Sequence, residues 1–230
     1  MKNILFVLLF LLSVSLAQAQ RLPIEPPNYA YIKSEIKNPS SPYYYPALFK
    51  RYLANDTTLN IEQYRALYYG FTYQKEYQSY GNPPQDDILA RYANIDHLTI
   101  ADCDTILLYA GQLVAKFPFD IHWINRMAYA YHVKGDNVDA KLLSFKAKMI
   151  LQTIFSTGNG RTPPTAWHVI EVGDEYEIIY MLGLYPLHST LVGLQCDHVT
   201  VSENPSGVRG FYFNVKRLLD MEGDSLQSKK

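Results

Sequence analysis

The sequence predicts an α+β fold, mainly α: helical hairpins followed by a small antiparallel sheet with one helix. Three observations predict it. Apolar residues recur at helical spacing through most of residues 43–155, and the dipeptide Gly135-Asp136 separates two of these stripes. Beyond Pro163-Pro164 the periodicity shortens to two, with Phe211, Phe213 and Val215 on one side of an alternating run.

The elements follow in order. Residues 1–19 carry a positive Lys2, an apolar run over residues 4–12 and a small-residue end at Ala17-Gln18-Ala19. That order is expected of a signal peptide cut after Ala19, and the apolar run is shorter than the roughly 20 residues a membrane span needs. Residues 20–40, rich in Pro, read as an extended lead-in with at most one short helical turn near residues 32–36. A helical region is expected over residues 41–156. Its first helix holds Tyr44, Leu48 and Tyr52, with Pro46 in the first turn, where a missing N–H is tolerated. Asn60 with Gln63 three residues on forms a capping signal ahead of Tyr64, Leu67, Tyr68 and Phe71. Gly81-Asn82-Pro83-Pro84 breaks the chain, a short helix is expected near residues 86–93, and Thr99 opens an amphipathic stretch.

Residues 121–155 are the most informative. Trp123, Ile124, Met127, Ala128 and Tyr131 stripe one helix; Ala140, Leu143, Ala147, Ile150 and Leu151 stripe the next. Counted from the turn, Ala128, Tyr131, Gly135, Ala140 and Ala147 resemble the small residues, Tyr and turn Gly of a tetratricopeptide repeat. No clean second copy occurs at a 34-residue offset. A C-terminal subdomain is expected over residues 165–218. Residues 167–172 and 196–201 read as strands, residues 174–182 as either a helix or a hairpin strand with the helix preferred, and residues 219–230 as a flexible tail.

Composition narrows the function. A formal charge of −1 argues against nucleic acid, whose binding rests on cations neutralising phosphates. No membrane span is expected after signal cleavage, so the mature chain should be periplasmic or secreted. The two cysteines, Cys103 and Cys196, are compatible with a bridge or with two buried thiols. Twenty tyrosines stand out. Tyr64, Tyr68, Tyr69, Tyr73, Tyr77 and Tyr80 wrap more than one helical face, so surplus rings either line a binding surface or fill helix interfaces with their hydroxyls reaching water.

Catalytic patterns are thin. No metalloprotease, serine-hydrolase elbow, phosphate-loop or dinucleotide motif occurs, and no metal or cofactor is expected. His168 and Glu171 would face opposite sides of a strand; Asp174 reads as a helix cap and Glu175 as a first-turn charge. In Cys196-Asp197-His198, the thiol and imidazole would share one strand face, an incomplete nucleophile or ligand pair. His122 and His132 sit at helical spacings typical of packing and solvent, and His97 reads as a loop residue.

Five short blocks then occur in one order: Tyr68-Tyr69-Gly70-Phe71; Trp167-His168-Val169-Ile170 leading into Asp174-Glu175-Tyr176; Leu182-Gly183-Leu184; Cys196-Asp197; and Tyr212-Phe213-Asn214-Val215. Together they resemble the exported Bacteroidetes family known as domain of unknown function 4919, over residues 41–218. The resemblance implies an exported protein with helical repeats and no assigned activity. Because stacked helix pairs create grooves, the expected function is non-catalytic binding of a protein or peptide partner. The alternatives are a hydrolase using His168, Cys196 and His198, or carbohydrate and cell-wall binding through Tyr69, Tyr73 and Trp167.

Overall fold

In a computed structural model the described residues are 24–77, 86–93, 95 and 97–227. The expected signal segment, the break at residues 81–84 and Tyr80 lie outside them. Helix α1 (Tyr29–Glu35) starts where the Asn28 side chain accepts the Tyr31 N–H. The lead-in therefore folds into two helical turns rather than an extended strap, because Asn28 supplies a cap and Ile32 a buried anchor. Helix α2 (Tyr45–Leu53) has Pro46 in its first turn. Helix α3 (Ile61–Phe71) begins with the expected capping box, Asn60 and Gln63 each satisfying the other's backbone N–H. One helical turn (Asp86–Leu89) and a 3-10 turn (Ala90–Tyr92) precede α4 (Ile100–Lys116), capped by Thr99 and Asp102.

Helices α5 (Ile121–Val133) and α6 (Asn137–Phe155) form the expected antiparallel hairpin, with Asp120 and Asp136 as caps. Gly135 turns it at φ +83°, a conformation glycine adopts without steric cost. The helices α4, α5 and α6 pack in sequence, α3 lies on α6, and α1 and α2 lie on α3.

The C-terminal part holds β1 (Trp167–His168), α7 (Val172–Met181), β2 (Pro186–Val192), β3 (Cys196–Val201), β4 (Gly210–Asn214) and α8 (Lys216–Gln227). Strand order is β1-β4-β3-β2. The sheet is mixed: β3 and β4 are antiparallel, as expected, β2, which the sequence pattern did not mark as a strand, is antiparallel to β3, and β1 runs parallel to β4. Alternation marks a strand's faces but not its pairing direction, and β1 keeps only two of the residues 167–172 read as strand. The ambiguous segment at residues 174–182 is helical, and α8 covers much of the region read as a flexible tail.

One core runs through both parts. Rings of α2 and α3 meet Phe119, Ile150 and Ile154, and continue to Trp167, Ile178, Phe211 and Phe213. A smaller second core joins Leu89, Tyr92, Cys103, Ile106, Ala110, Leu113 and Ala130.

Candidate functional site

The residues with candidate chemistry fall in three different environments. His168 is half-buried, its Nδ1 3.3 Å from the Tyr29 hydroxyl. Burial, aided by the Arg65 charge, lowers its pKa to about 4, so the ring is neutral at ordinary pH. The strand register puts His168 and Cys196 on either side of Asn214, two strand spacings or roughly 10 Å apart. Cys196 is buried, with Sγ 3.8 Å from the Pro163 carbonyl oxygen. Burial and then the Asp197 carboxylate raise its thiol pKa, the reverse of what activates a thiolate. His198 stacks on Tyr212 with centroids 4.4 Å apart. The three side chains do not converge on one point. Cys103 is also a free, buried thiol, held in the second core.

The aromatic candidates divide differently. Tyr69 is fully buried and donates to the His168 carbonyl at 3.0 Å. Trp167 is buried against Phe211 and gives its Nε1–H to the Gly158 carbonyl. Tyr73 is half-buried, donates to the Tyr29 carbonyl and lies under the Arg217 guanidinium at 4.2 Å. These rings serve the interior and its margin. Tyr68 and Tyr77 act alike, donating to the Asp174 carboxyl and to the Ile170 carbonyl. Four tyrosine hydroxyls from α3 and the loop after it, those of Tyr68, Tyr69, Tyr73 and Tyr77, thus tie to distant segments and leave these rings filling interfaces.

Helix α7 carries two buried carboxyls with raised pKa values. Asp174 stands in its first turn but does not cap it; the cap position is Glu171. Asp174 is instead buried, and desolvation raises its pKa well above the usual range despite the Tyr68 hydrogen bond. Glu175 is fully buried rather than a surface charge, and neither carboxyl oxygen meets hydrogen-bond geometry. Its pKa is pushed up to about 9, first by burial and then by the nearby Asp197 and Asp174. Asp197 on β3 is itself raised by burial. Next to them His122 Nδ1 meets Glu177 Oε1 at 2.6 Å, joining α5 to α7. A group of carboxyls kept protonated by burial can donate hydrogen bonds, and no three-ligand metal cluster occurs among the described residues.

An open feature lies on the hairpin. A cleft of about 690 Å³ runs between α5 and α6, with Asn125, Tyr129 and His132 on one wall and Lys141, Ser144 and Lys148 on the other. Ala128 and Ala140 deepen it, because small side chains let a groove form between close helices. Tyr129 and Phe145 give it aromatic surface. Among the described residues, no Asp or Glu lines it, and neither Lys141 nor Lys148 forms an ion pair. The cleft is thus cationic on one side, with hydrogen-bonding groups on both. The cleft was not read from the sequence, although Asn125, Tyr129, His132 and Lys141, Ser144, Lys148 stand at helical spacings that flank the core stripes at Ala128 and Ala140.

A family model described as a domain of unknown function (DUF4919) matches residues 30–223, and the chain belongs to that family. No curated protein matches it. No solved structure matches it either.

Proposed function

We propose that this member of the family is an exported, non-catalytic binding protein whose α5–α6 cleft takes an acidic peptide segment of a protein partner. One observation carries the reading: the cleft combines Lys141, Lys148 and His132 with amide, hydroxyl and aromatic groups, and no acidic side chain lines it among the described residues. Ammonium groups at the rim attract carboxylates, and Asn125 and Ser144 supply hydrogen bonds that orient a backbone. The pattern Ala128, Tyr131, Gly135, Ala140 and Ala147 makes α5 and α6 a tetratricopeptide-like hairpin in this reading, a unit whose grooves suit extended or helical segments. Fold likeness alone warrants no function, so the lysines bear the argument. Export rests on Lys2, the apolar run over residues 4–12 and Ala17-Gln18-Ala19, and implies a periplasmic or extracellular partner.

Fluorescence anisotropy with labelled Glu-rich peptides, and with Lys-rich peptides of equal length, tests it. The acidic set should bind, more weakly as salt rises, and the doubly reversed Lys141→Glu/Lys148→Glu chain should lose at least about tenfold in affinity. Equal binding of both peptide sets, or no loss on reversal, refutes the reading.

A further inference from the structure

The outer edge of β2 is built to pair. Natural sheets protect such edges with charged side chains, covering segments or very short strands. Here no Asp, Glu, Lys or Arg occurs from residue 181 to residue 196. Leu187 is 67 % exposed and Leu191 47 %, and Tyr180, Met181, Leu182, Tyr185 and Leu194 are exposed around them. Strand β2 stands at the end of the strand order, and among the described residues no strand pairs with its outer side. The opposite edge of the sheet is β1, only two residues long.

Backbone geometry says which groups are open. Ser202 N–H donates to Tyr185 O, and Val201 N–H donates to Arg209 O on the β4 side. Antiparallel ladders alternate, so Thr200, His198 and Cys196 point their N–H groups at β2. Their partners His188, Thr190 and Val192 then face inward, and Ser189 and Leu191 turn their N–H and C=O groups outward. A register shift between Pro186 and His188 ends the regular stretch on one side, and Gly193 (φ +61°) ends it on the other. What is left, residues 188–192, has Thr190 at its midpoint.

We infer that β2 pairs antiparallel with β2 of a second copy about a two-fold axis at Thr190, joining two four-stranded sheets into one. The open edge fits its own copy. Ser189 and Leu191 of one chain exchange two hydrogen bonds with Leu191 and Ser189 of the other, giving four in all. Thr190 meets Thr190 at the non-hydrogen-bonded position between them, a favourable cross-strand pair. An uncharged strand opposes no like charges to itself, and the exposed leucines and tyrosines flanking it are covered along with the edge. A head-to-tail array would need a second long edge, which the two-residue β1 does not offer, so the isologous dimer is the closed solution.

Sedimentation equilibrium of the full chain, from sub-micromolar to millimolar concentration, should give twice the chain mass at the upper end. Ser189→Pro removes one outward N–H and no bond to β3, a position where an edge strand tolerates proline. It should raise the dimer dissociation constant about tenfold or more with an unchanged circular dichroism spectrum. Thr190→Cys should form a disulfide-linked dimer on mild oxidation, because this pair brings side chains closest, and His188→Cys should not. A chain that stays monomeric throughout overturns the inference, whether the edge then remains bare or takes a foreign strand. So does a dimer indifferent to Ser189→Pro, or one that links through His188→Cys and not Thr190→Cys.

Discussion

The two cores of the molecule are held by different means. The larger one, between α3, α6 and the C-terminal sheet, is aromatic and wired: Tyr68, Tyr69 and Tyr77 send hydroxyls to Asp174, His168 and Ile170, more than ninety residues away. The smaller one, beneath α4 and α5, is mostly aliphatic or small among the described residues, with Tyr92 buried in it and Tyr109 and Trp123 at its margin. Helices adjacent in sequence close the smaller core with local contacts, so shape alone suffices there. The larger core must hold together segments far apart in the chain, and each hydroxyl bond there fixes a register that apolar packing by itself leaves free to slide. Tyrosine suits that task because one side chain supplies both buried area and a directed donor.

The sharpest way to break this comparison is at Trp167. Trp167→Ala removes a ring stacked on Phe211 at 5.1 Å and the bond to Gly158, and should lower stability by about 3–5 kcal/mol in urea titration. A cost under about 1 kcal/mol would show that the sheet is not integral to the larger core.

The next effect is of pH. Glu175 has its folded pKa raised to about 9 from 4.5, and Asp174 is raised too, so the folded state holds protons that the unfolded chain releases. The stability these two carboxyls contribute is therefore fully present at low pH, and Glu175's share is lost as pH climbs from about 4.5 to about 9, while the lowered pKa of His168 acts in the opposite direction between about 4 and 6.5. Each carboxyl contributes up to about 1.4 kcal/mol per pH unit inside its window. Glu175→Gln should flatten the decline, and hydrogen exchange should quicken in α7 before α4 as pH rises. Equal quickening in both helices would dissolve the distinction between the cores.

Smaller changes refine it. Tyr68→Phe leaves Asp174 and the Ile170 N–H without their buried partner, at about 1–3 kcal/mol by thermal or chemical denaturation. Ile106→Val in the second core, where only packing is lost, should cost about 0.5–1.5 kcal/mol by the same measurement. If the valine costs more than the phenylalanine, the hydroxyl wiring is not what secures the larger core.

The stripes, caps and turns were legible in the chain. Asn60 with Gln63, Thr99 and Gly135 each act within a few residues, so their patterns carry over directly into α3, α4 and the α5–α6 turn. Cys196 to Val201 reads as a strand and is one. Asp174 and Glu175 were misread as a cap and a surface charge because both readings assume solvent, and nothing local announces that Tyr68 and β3 will enclose them. The cleft was overlooked for a related reason: a polar face looks solvated until two such faces, on α5 and α6, are set side by side.

The chain by itself therefore determined the capped starts of α3 and α4 and the α5–α6 turn, where the periodicity changes and which residues are apolar, since these follow from contacts a few residues apart. Only the tertiary structure decided the parallel placement of β1, the burial of the α7 carboxyls, the destinations of the tyrosine hydroxyls and the exposed edge of β2. Each of these depends on which distant segment excludes water from a side chain or supplies its hydrogen-bond partner, and no local spacing encodes that.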